Sequence, residues 1–149
     1  MRPITRNRRQ RGNAILEFAI AFSLLWACFA GLFQLGYTFF VYNSLLTSVA
    51  NAAELGSKMN YDTANTTAFT DAVKNMVVYG DTSTGTNPIV VGLSTANVRV
   101  DVNPEDSMPT DVTVTIQNYT IDAVFTQFTF SGKPRATAIY MGQINCSNC

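Results

Sequence analysis

Apolar and polar positions divide the chain into three regimes. From Phe18 to Tyr42 there are 25 residues without a formal charge, and only Ser23, Gln34 and Thr38 are clearly polar. A helix needs about 20 apolar residues to cross a hydrocarbon core of roughly 30 Å, so this run predicts a transmembrane helix. From Asn43 to Met59 the apolar positions become periodic. Leu45, Leu46, Val49, Ala52, Ala53 and Gly56 share one small, apolar face, while Asn43, Thr47, Asn51, Glu54 and Lys58 lie largely elsewhere. No proline interrupts residues 13–59, which predicts a single helix of roughly 65–70 Å over nearly all of that range. Gly56 reads as a fray point or C-cap, and Asn60-Tyr61-Asp62 opens a loop.

The third regime changes period. Phe69, Val73, Met76 and Val77 keep helical spacing, which predicts a second, short helix capped by Thr66 or Thr67 and ended by Gly80. Residues 80–88 are loop by composition. Val98, Val100 and Val102, then Val112, Val114 and Ile116, alternate with period two and predict two antiparallel strands facing a core, joined by the polar turn Asn103–Pro109. Residues 119–130 mix Tyr119, Phe125, Phe128 and Phe130 with threonines and fit either helix or irregular packing. Gly132-Lys133-Pro134 breaks the chain, and Arg135–Met141 reads as a last strand. The expected fold is α+β: a long N-terminal transmembrane and amphipathic helix, one short helix, and a small, mostly antiparallel sheet of three to four strands. A sheet that small is marginal alone; the amphipathic half of the long helix and the second helix are expected to cover it.

Charge adds a direction. Arg2, Arg6, Arg8, Arg9 and Arg11 are five of the ten basic residues, and all ten acids lie at or beyond Glu17. Without residues 1–12 the balance is 5 basic against 10 acidic, a net charge of −5. The positive-inside rule then puts the N-terminus in the cytoplasm and the C-terminus outside. The chain divides into a basic cytoplasmic leader (1–12), a transmembrane helix (13–42) and an exported domain (43–149) whose first helix continues to about residue 59. The apolar run is longer than the about 7–15 residues of a secretory signal core and has no convincing A-x-A site, so it is expected to be retained. The candidate cut lies on the cytoplasmic side, after Gly12. Nothing else in the chain supports a nucleic-acid role for the basic run, and no nucleic-acid partner is expected.

Histidine is absent, which removes Ser-His and Cys-His nucleophiles, imidazole proton transfer and His-ligated metals. No catalytic residue, cofactor or metal is expected. Asp101, Glu105, Asp106 and Asp111 surround a proline-containing turn and read as a solvated loop, with weak Ca²⁺ binding as the alternative. Cys28 lies mid-segment as a small apolar filler. Cys146 and Cys149 have CxxC spacing, open to a redox pair, half a zinc site or a local disulfide. The chain end supplies no helix N-terminus to activate a thiolate and no second pair to complete a zinc site. An exported location favours the disulfide.

Two features go beyond an anchor. Ala19, Ser23, Ala27 and Gly31 recur every four positions, the small-xxx-small arrangement that lets helices approach closely in lipid; chance in an alanine-rich helix is the plainer reading. Phe22, Leu25, Trp26, Phe29 and Phe33 are expected on the opposite face, and Tyr37, Phe39, Phe40 and Tyr42 form an aromatic cluster at the far end, as at a bilayer interface. Glu17 is the second feature. A carboxylate costs about 2–3 kcal/mol at a bilayer centre and less near its edge, so Glu17 is either a tolerated interfacial acid or has a positive partner. A cut after Gly12 would create an α-amino group on Asn13, four residues away. Glu17 could pair with it in the same chain or in a neighbour, which would hold subunits in register where the dielectric is low.

The run Gly12-Asn13-Ala14-Ile15-Leu16-Glu17-Phe18 resembles the processing motif of type IV-pilin-related proteins. The wider pattern, RGNAILEFAIAFSLL with FQLGYTFFVYNSLLTSVANAAELGS downstream, is similar over residues 8–60 to the TadE-like family of tight-adherence (Flp-type) pilus assembly. That resemblance implies a single-pass protein of the bacterial inner membrane, cut after Gly12 by a prepilin peptidase, with Gly12, Asn13, Glu17 and Phe18 as the processing site. It implies a minor pilin or pseudopilin that sits near the base or tip of a filament or starts its assembly. The implied partners are other pilin or pseudopilin subunits and the pilus assembly platform, with the C-terminal domain in the periplasm or at the cell surface. It implies no catalysis, since the chain is the peptidase's substrate. An uncleaved, signal-anchored binding module of the cell envelope is the alternative.

Overall fold

The computed structural model describes the backbone of residues 8–62, 65–105, 108–122 and 127–142, and side chains from residue 13 onward within these ranges except at 104, 105 and 108. Its first element is one unbroken helix, α1, Arg8–Lys58, of 51 residues, or about 75 Å. Its hydroxyl side chains do not disrupt it. Ser23, Thr38, Ser44, Thr47 and Ser48 each donate to the carbonyl four residues back, at 2.8–3.0 Å, so they are satisfied within their own helix.

Helix α2, Thr66–Tyr79, buries Phe69, Val73, Val77 and Val78, with Asn65 as N-cap residue. The Asn65 side chain makes no cap bond, and neither Thr66 nor Thr67 is the N-cap as expected, since both are already helical; the Thr70 hydroxyl bonds back to their carbonyls. Gly80 ends α2 at φ 74°, its N–H donating to the Met76 carbonyl at 3.1 Å. That left-handed cap is open to glycine at little steric cost.

Strands β1 (Val98–Glu105) and β2 (Met108–Ile116) are antiparallel, with Val98 opposite Ile116, Val100 opposite Val114 and Val102 opposite Val112. The two alternating runs read from the sequence therefore meet residue for residue on one face. Both strands run further into the proline-containing connection than expected, with Pro104 opposite Pro109 after a register shift at Asn103. Strands β3 (Tyr119–Asp122) and β4 (Gln127–Phe130) pair as a hairpin of their own. The ambiguous 119–130 stretch is thus β: Tyr119 and Ile121 are buried and Thr120 and Asp122 exposed, an alternation too short to identify from the sequence alone. Strand β5 (Arg135–Ile139) joins the far side of β2, giving the order β1-β2-β5. The architecture is α+β, with the strands divided between a three-stranded and a two-stranded antiparallel sheet.

One core unites these layers. Leu45, Val49, Ala52 and Ala53 of α1 cluster with Phe69, Val73 and Val77 of α2 and with Val112, Val114 and Ile116 of β2. The central strand β2 is deeply covered; its Val112, Val114 and Ile116 side chains are fully buried, each contributing about 1.5–3 kcal/mol. Gly56 is not a cap. It lies buried within α1, and a Cβ there would sit 3.1 Å from Val112 Cγ1 and 3.3 Å from Val73 Cγ2. Glycine is what lets α1 approach both β2 and α2. Leu46, expected on the buried face, is 41% exposed. The end of the sheet is fastened to the end of α1: the Tyr140 hydroxyl donates to the Met59 carbonyl and accepts from Tyr61 N–H, while Met141 N–H donates to the Ser57 carbonyl.

Candidate assembly segment

Helix α1 supplies the features that sequence reasoning singled out. Between Asn13 and Phe33 no residue is buried, and only Ala30 and Gly31 are half-covered. Ile15, Phe18, Ile20, Leu24, Trp26 and Leu32 are each 62–70% exposed and point around the whole circumference at 100° per residue. A helix apolar on every side and packed on none belongs in lipid or among other apolar helices. Its bare length, about 30 Å over 20 residues, matches a bilayer's hydrocarbon core. It is the one helix among the described residues long and apolar enough to cross a membrane, and it is built as a single-pass anchor.

The residues that resemble a processing motif lie at the head of this segment. Gly12 falls inside α1, four residues after its first residue, and Asn13, Glu17 and Phe18 are exposed. Asn13 and Glu17 are one turn apart, on the same side of the helix. Among the described residues Glu17 has no ion-pair partner; the ion pairs there are Glu54–Lys58 at 2.6 Å and Arg99–Asp101 at 2.8 Å.

Two stripes run up the bare segment. Phe18, Phe22, Trp26 and Phe29 form a continuous line of ring contacts with centroids 6.0–6.5 Å apart. Ala19, Ser23 and Ala27 each follow one of these rings by a single residue, so the small stripe lies about 100° from the aromatic one and flanks it rather than opposing it. Nothing lies within 4 Å of a Cβ built on Gly31. The small face is uncovered, and Ser23, which bonds to Ala19's carbonyl at 2.8 Å, leaves no unsatisfied hydroxyl on it.

The remaining candidates are dispersed. Cys28 is an exposed free thiol on the bare segment; Cys146 and Cys149 lie outside the described residues. Asp101 pairs with Arg99, and Asp111 accepts from Asn103, Thr110 and Thr113. These carboxylates are thus engaged on the outer face of the three-stranded sheet. The Glu105 side chain and Asp106 lie outside the described positions.

Sequence reasoning missed how far the folded domain reaches back along α1. Packing begins before residue 43: Gln34 and Val41 are buried, at 7% and 2% exposed, and the Tyr42 ring lies 5.8 Å from that of Phe130. Gln34, Val41, Leu45, Ser48, Val49 and Ala52 continue one helical stripe. The stripe was masked because its first members lie in a run that is apolar all round. Tyr119, beside this junction, donates to the Val91 carbonyl at 2.8 Å. Burial, with smaller contributions from the Tyr37 and Asp122 charges, pushes its phenol above the ordinary range.

Comparison with known proteins converges on α1. Residues 12–54 match the family model described as TadE-like protein. No curated protein and no solved structure matches the chain. The matched residues lie wholly within α1 and take in the Gly12–Phe18 run, the bare segment and most of the packed one. Over residues 12–54 the chain is therefore similar to the TadE-like family, and the match does not extend to α2 or to either sheet.

Proposed function

We propose that the protein is a minor pilin or pseudopilin-like structural subunit of a tight-adherence type pilus, cut after Gly12 by a prepilin peptidase and carrying out no catalysis itself. One observation carries the reading: a glycine–glutamate processing pattern heads a helix that is bare for its first half and fused to a folded domain in its second. A permanent anchor needs only length and apolarity. Here Gly12, with the lowest helix propensity in its stretch, makes the 12–13 bond the easiest place to unwind α1. Cleavage there would leave an α-amino cation one turn from Glu17, the acid without a partner among the described residues. The uncovered Ala19–Gly31 stripe would then offer a close-packing face to neighbouring subunits in the inner membrane and at the assembly platform. The leader lies on the cytoplasmic side in this reading, and the α+β domain on the outer side.

N-terminal sequencing of the protein purified from membranes tests the proposal. The expected mature chain starts at Asn13. A chain that retains residues 1–12 would overturn processing and leave a signal-anchored envelope module.

A further inference from the structure

We propose that the outer face of the three-stranded sheet binds a carboxylate of an acidic protein segment between Arg99 and Arg135, with the Thr115 hydroxyl as a third donor. The strand register builds the site. Thr115 is paired with Arg99 on one side and with Arg135 on the other, so the three form one row across β1, β2 and β5. Val98, Val112, Val114 and Ile116 belong to the core, and alternation along the strands puts the Arg99–Thr115–Arg135 row on the opposite face. Neighbouring strands lie about 4.8 Å apart, which separates the two arginine backbones by about 10 Å. Their long apolar stems bring both guanidinium groups within reach of one ligand above Thr115.

Burial supports that convergence. On the same face Asp111 and Thr113 are half-buried and Thr137 and Ile139 are exposed, yet Thr115 is only 6% exposed. The arginine stems are the cover that the register places directly beside it. Thr113 and Thr137 satisfy each other at 2.8 Å, whereas the Thr115 hydroxyl makes no hydrogen bond with a described residue. No fully buried side-chain oxygen or nitrogen among the described residues lacks a partner, so this hydroxyl still reaches solvent. A nearly buried donor with nothing to bond to thus lies between two guanidinium groups.

Charge and surface chemistry select the ligand. Asp101, one row along, accepts from Arg99 Nε at 2.8 Å and offsets one positive charge, and Arg135 has no ion-pair partner among the described residues. The net single positive charge suits a carboxylate, which a guanidinium holds through two parallel hydrogen bonds. No aromatic residue stands in these rows, so a sugar ring would find no flat apolar surface to stack on. Ile139, by contrast, is 76% exposed on the same face, four residues or about 13 Å from Arg135. A carboxylate and an apolar side chain at that separation are what a polypeptide offers. The inference rests neither on the pilin-like reading nor on cleavage after Gly12.

The test follows the arginine Nε–Hε NMR signals of the full chain in zwitterionic micelles during titration with acetylated, amidated hexaglutamate. The Arg99 and Arg135 signals should shift in one saturable transition, and hexaglutamine at the same concentrations should leave them in place. Arg135→Gln should weaken binding at least about tenfold, and Thr115→Val about threefold, while the Val112 and Val114 amide signals stay where they are. Lys74→Gln should change nothing. Shifts confined to the arginines of residues 1–12 would overturn the proposal, as would equal weakening by Lys74→Gln and Arg135→Gln, which would mean diffuse attraction. Tighter binding of polygalacturonate would assign the face to an acidic sugar polymer, and equal saturation by inorganic phosphate would make it a free-anion site; either result overturns a protein ligand. The same Arg99 and Arg135 shifts on raising the protein concentration without peptide would uphold the site and make its partner a second copy of this chain.

Discussion

Residues 13–33 and 41–58 belong to one helix, with no break in hydrogen bonding between them, yet they solve opposite problems. The first stretch presents leucine and phenylalanine on all sides and buries none of them. The second has fewer large apolar groups and buries them on one face, with Gly56, Ala52 and Ala53 permitting close approach. What differs is the expected solvent. A helix surrounded by lipid or by other apolar helices has no need of a polar side, whereas a helix on a soluble domain must divide its circumference. The small residues serve different partners accordingly. In the second stretch they meet the chain's own sheet and second helix; in the first they meet none of the other described residues.

The sharpest way to break this comparison is Glu17→Ala. If the proposed pilin-like role holds, this change should abolish incorporation of the protein into filaments, measured in sheared filaments, while the thermal midpoint of the domain stays unchanged. Normal incorporation would remove Glu17 from any role in register. Next come matched truncations in the two stretches. Leu45→Ala should lower the unfolding free energy in micelles by about 2–5 kcal/mol, and Leu25→Ala by no more than about 0.5 kcal/mol; equal losses would mean that the bare segment is packed after all. Gly56→Val should cost about 1–3 kcal/mol by overpacking against Val112 and Val73, measured by urea unfolding, whereas Gly31→Val should leave the domain's midpoint where it is.

Smaller effects probe the junction and the surface. Tyr119→Phe should cost about 0.5–1.5 kcal/mol by losing the bond to Val91. Because the folded state raises the Tyr119 pKa above the ordinary 10.0, its neutral form is the favoured one. The associated stability is complete below the unfolded pKa and is lost as pH rises through the folded value. A pH series above 10.0 should show that loss in the native protein, and the phenylalanine variant should lack it. Lys58→Ala should be the quietest change. Its bond holds the Glu54 carboxyl below the usual range, a contribution present above the unfolded pKa and lost as pH falls through the folded one. Both side chains are well exposed, so solvent screening leaves little to measure, and calorimetry at neutral pH should show no resolved shift.

How much was legible followed the length of each pattern. The long helix, the second helix from Phe69 to Val77 and the β1–β2 pairing were readable because each repeats its period several times. The β3–β4 hairpin was not, since two buried positions on one strand cannot separate strand from helix. The role of Gly56 was misread because a glycine near a helix end has two explanations, a cap and a close contact, and only the position of Val112 and Val73 chooses between them. Of the candidate segment, Gly12, Asn13, Glu17 and Phe18 were legible as a spacing, and the Ala19–Gly31 stripe as a period. Gln34 and Val41 were hidden inside a run whose apolarity had another sufficient cause.

By itself, the sequence determined the quantities that local chemistry controls: an apolar run of membrane-crossing length, basic charge gathered at one end, a glycine and an acid five residues apart, and the helical and strand periods. Tertiary structure decided where along α1 the bare part gives way to the packed part, that β5 joins β2 rather than β1, and that Arg99 and Arg135 flank Thr115 in one row. Burial and proximity depend on what other segments bring to a residue from far along the chain. No local pattern encodes that, because an apolar side chain facing lipid and one facing a core satisfy the same hydrophobic requirement.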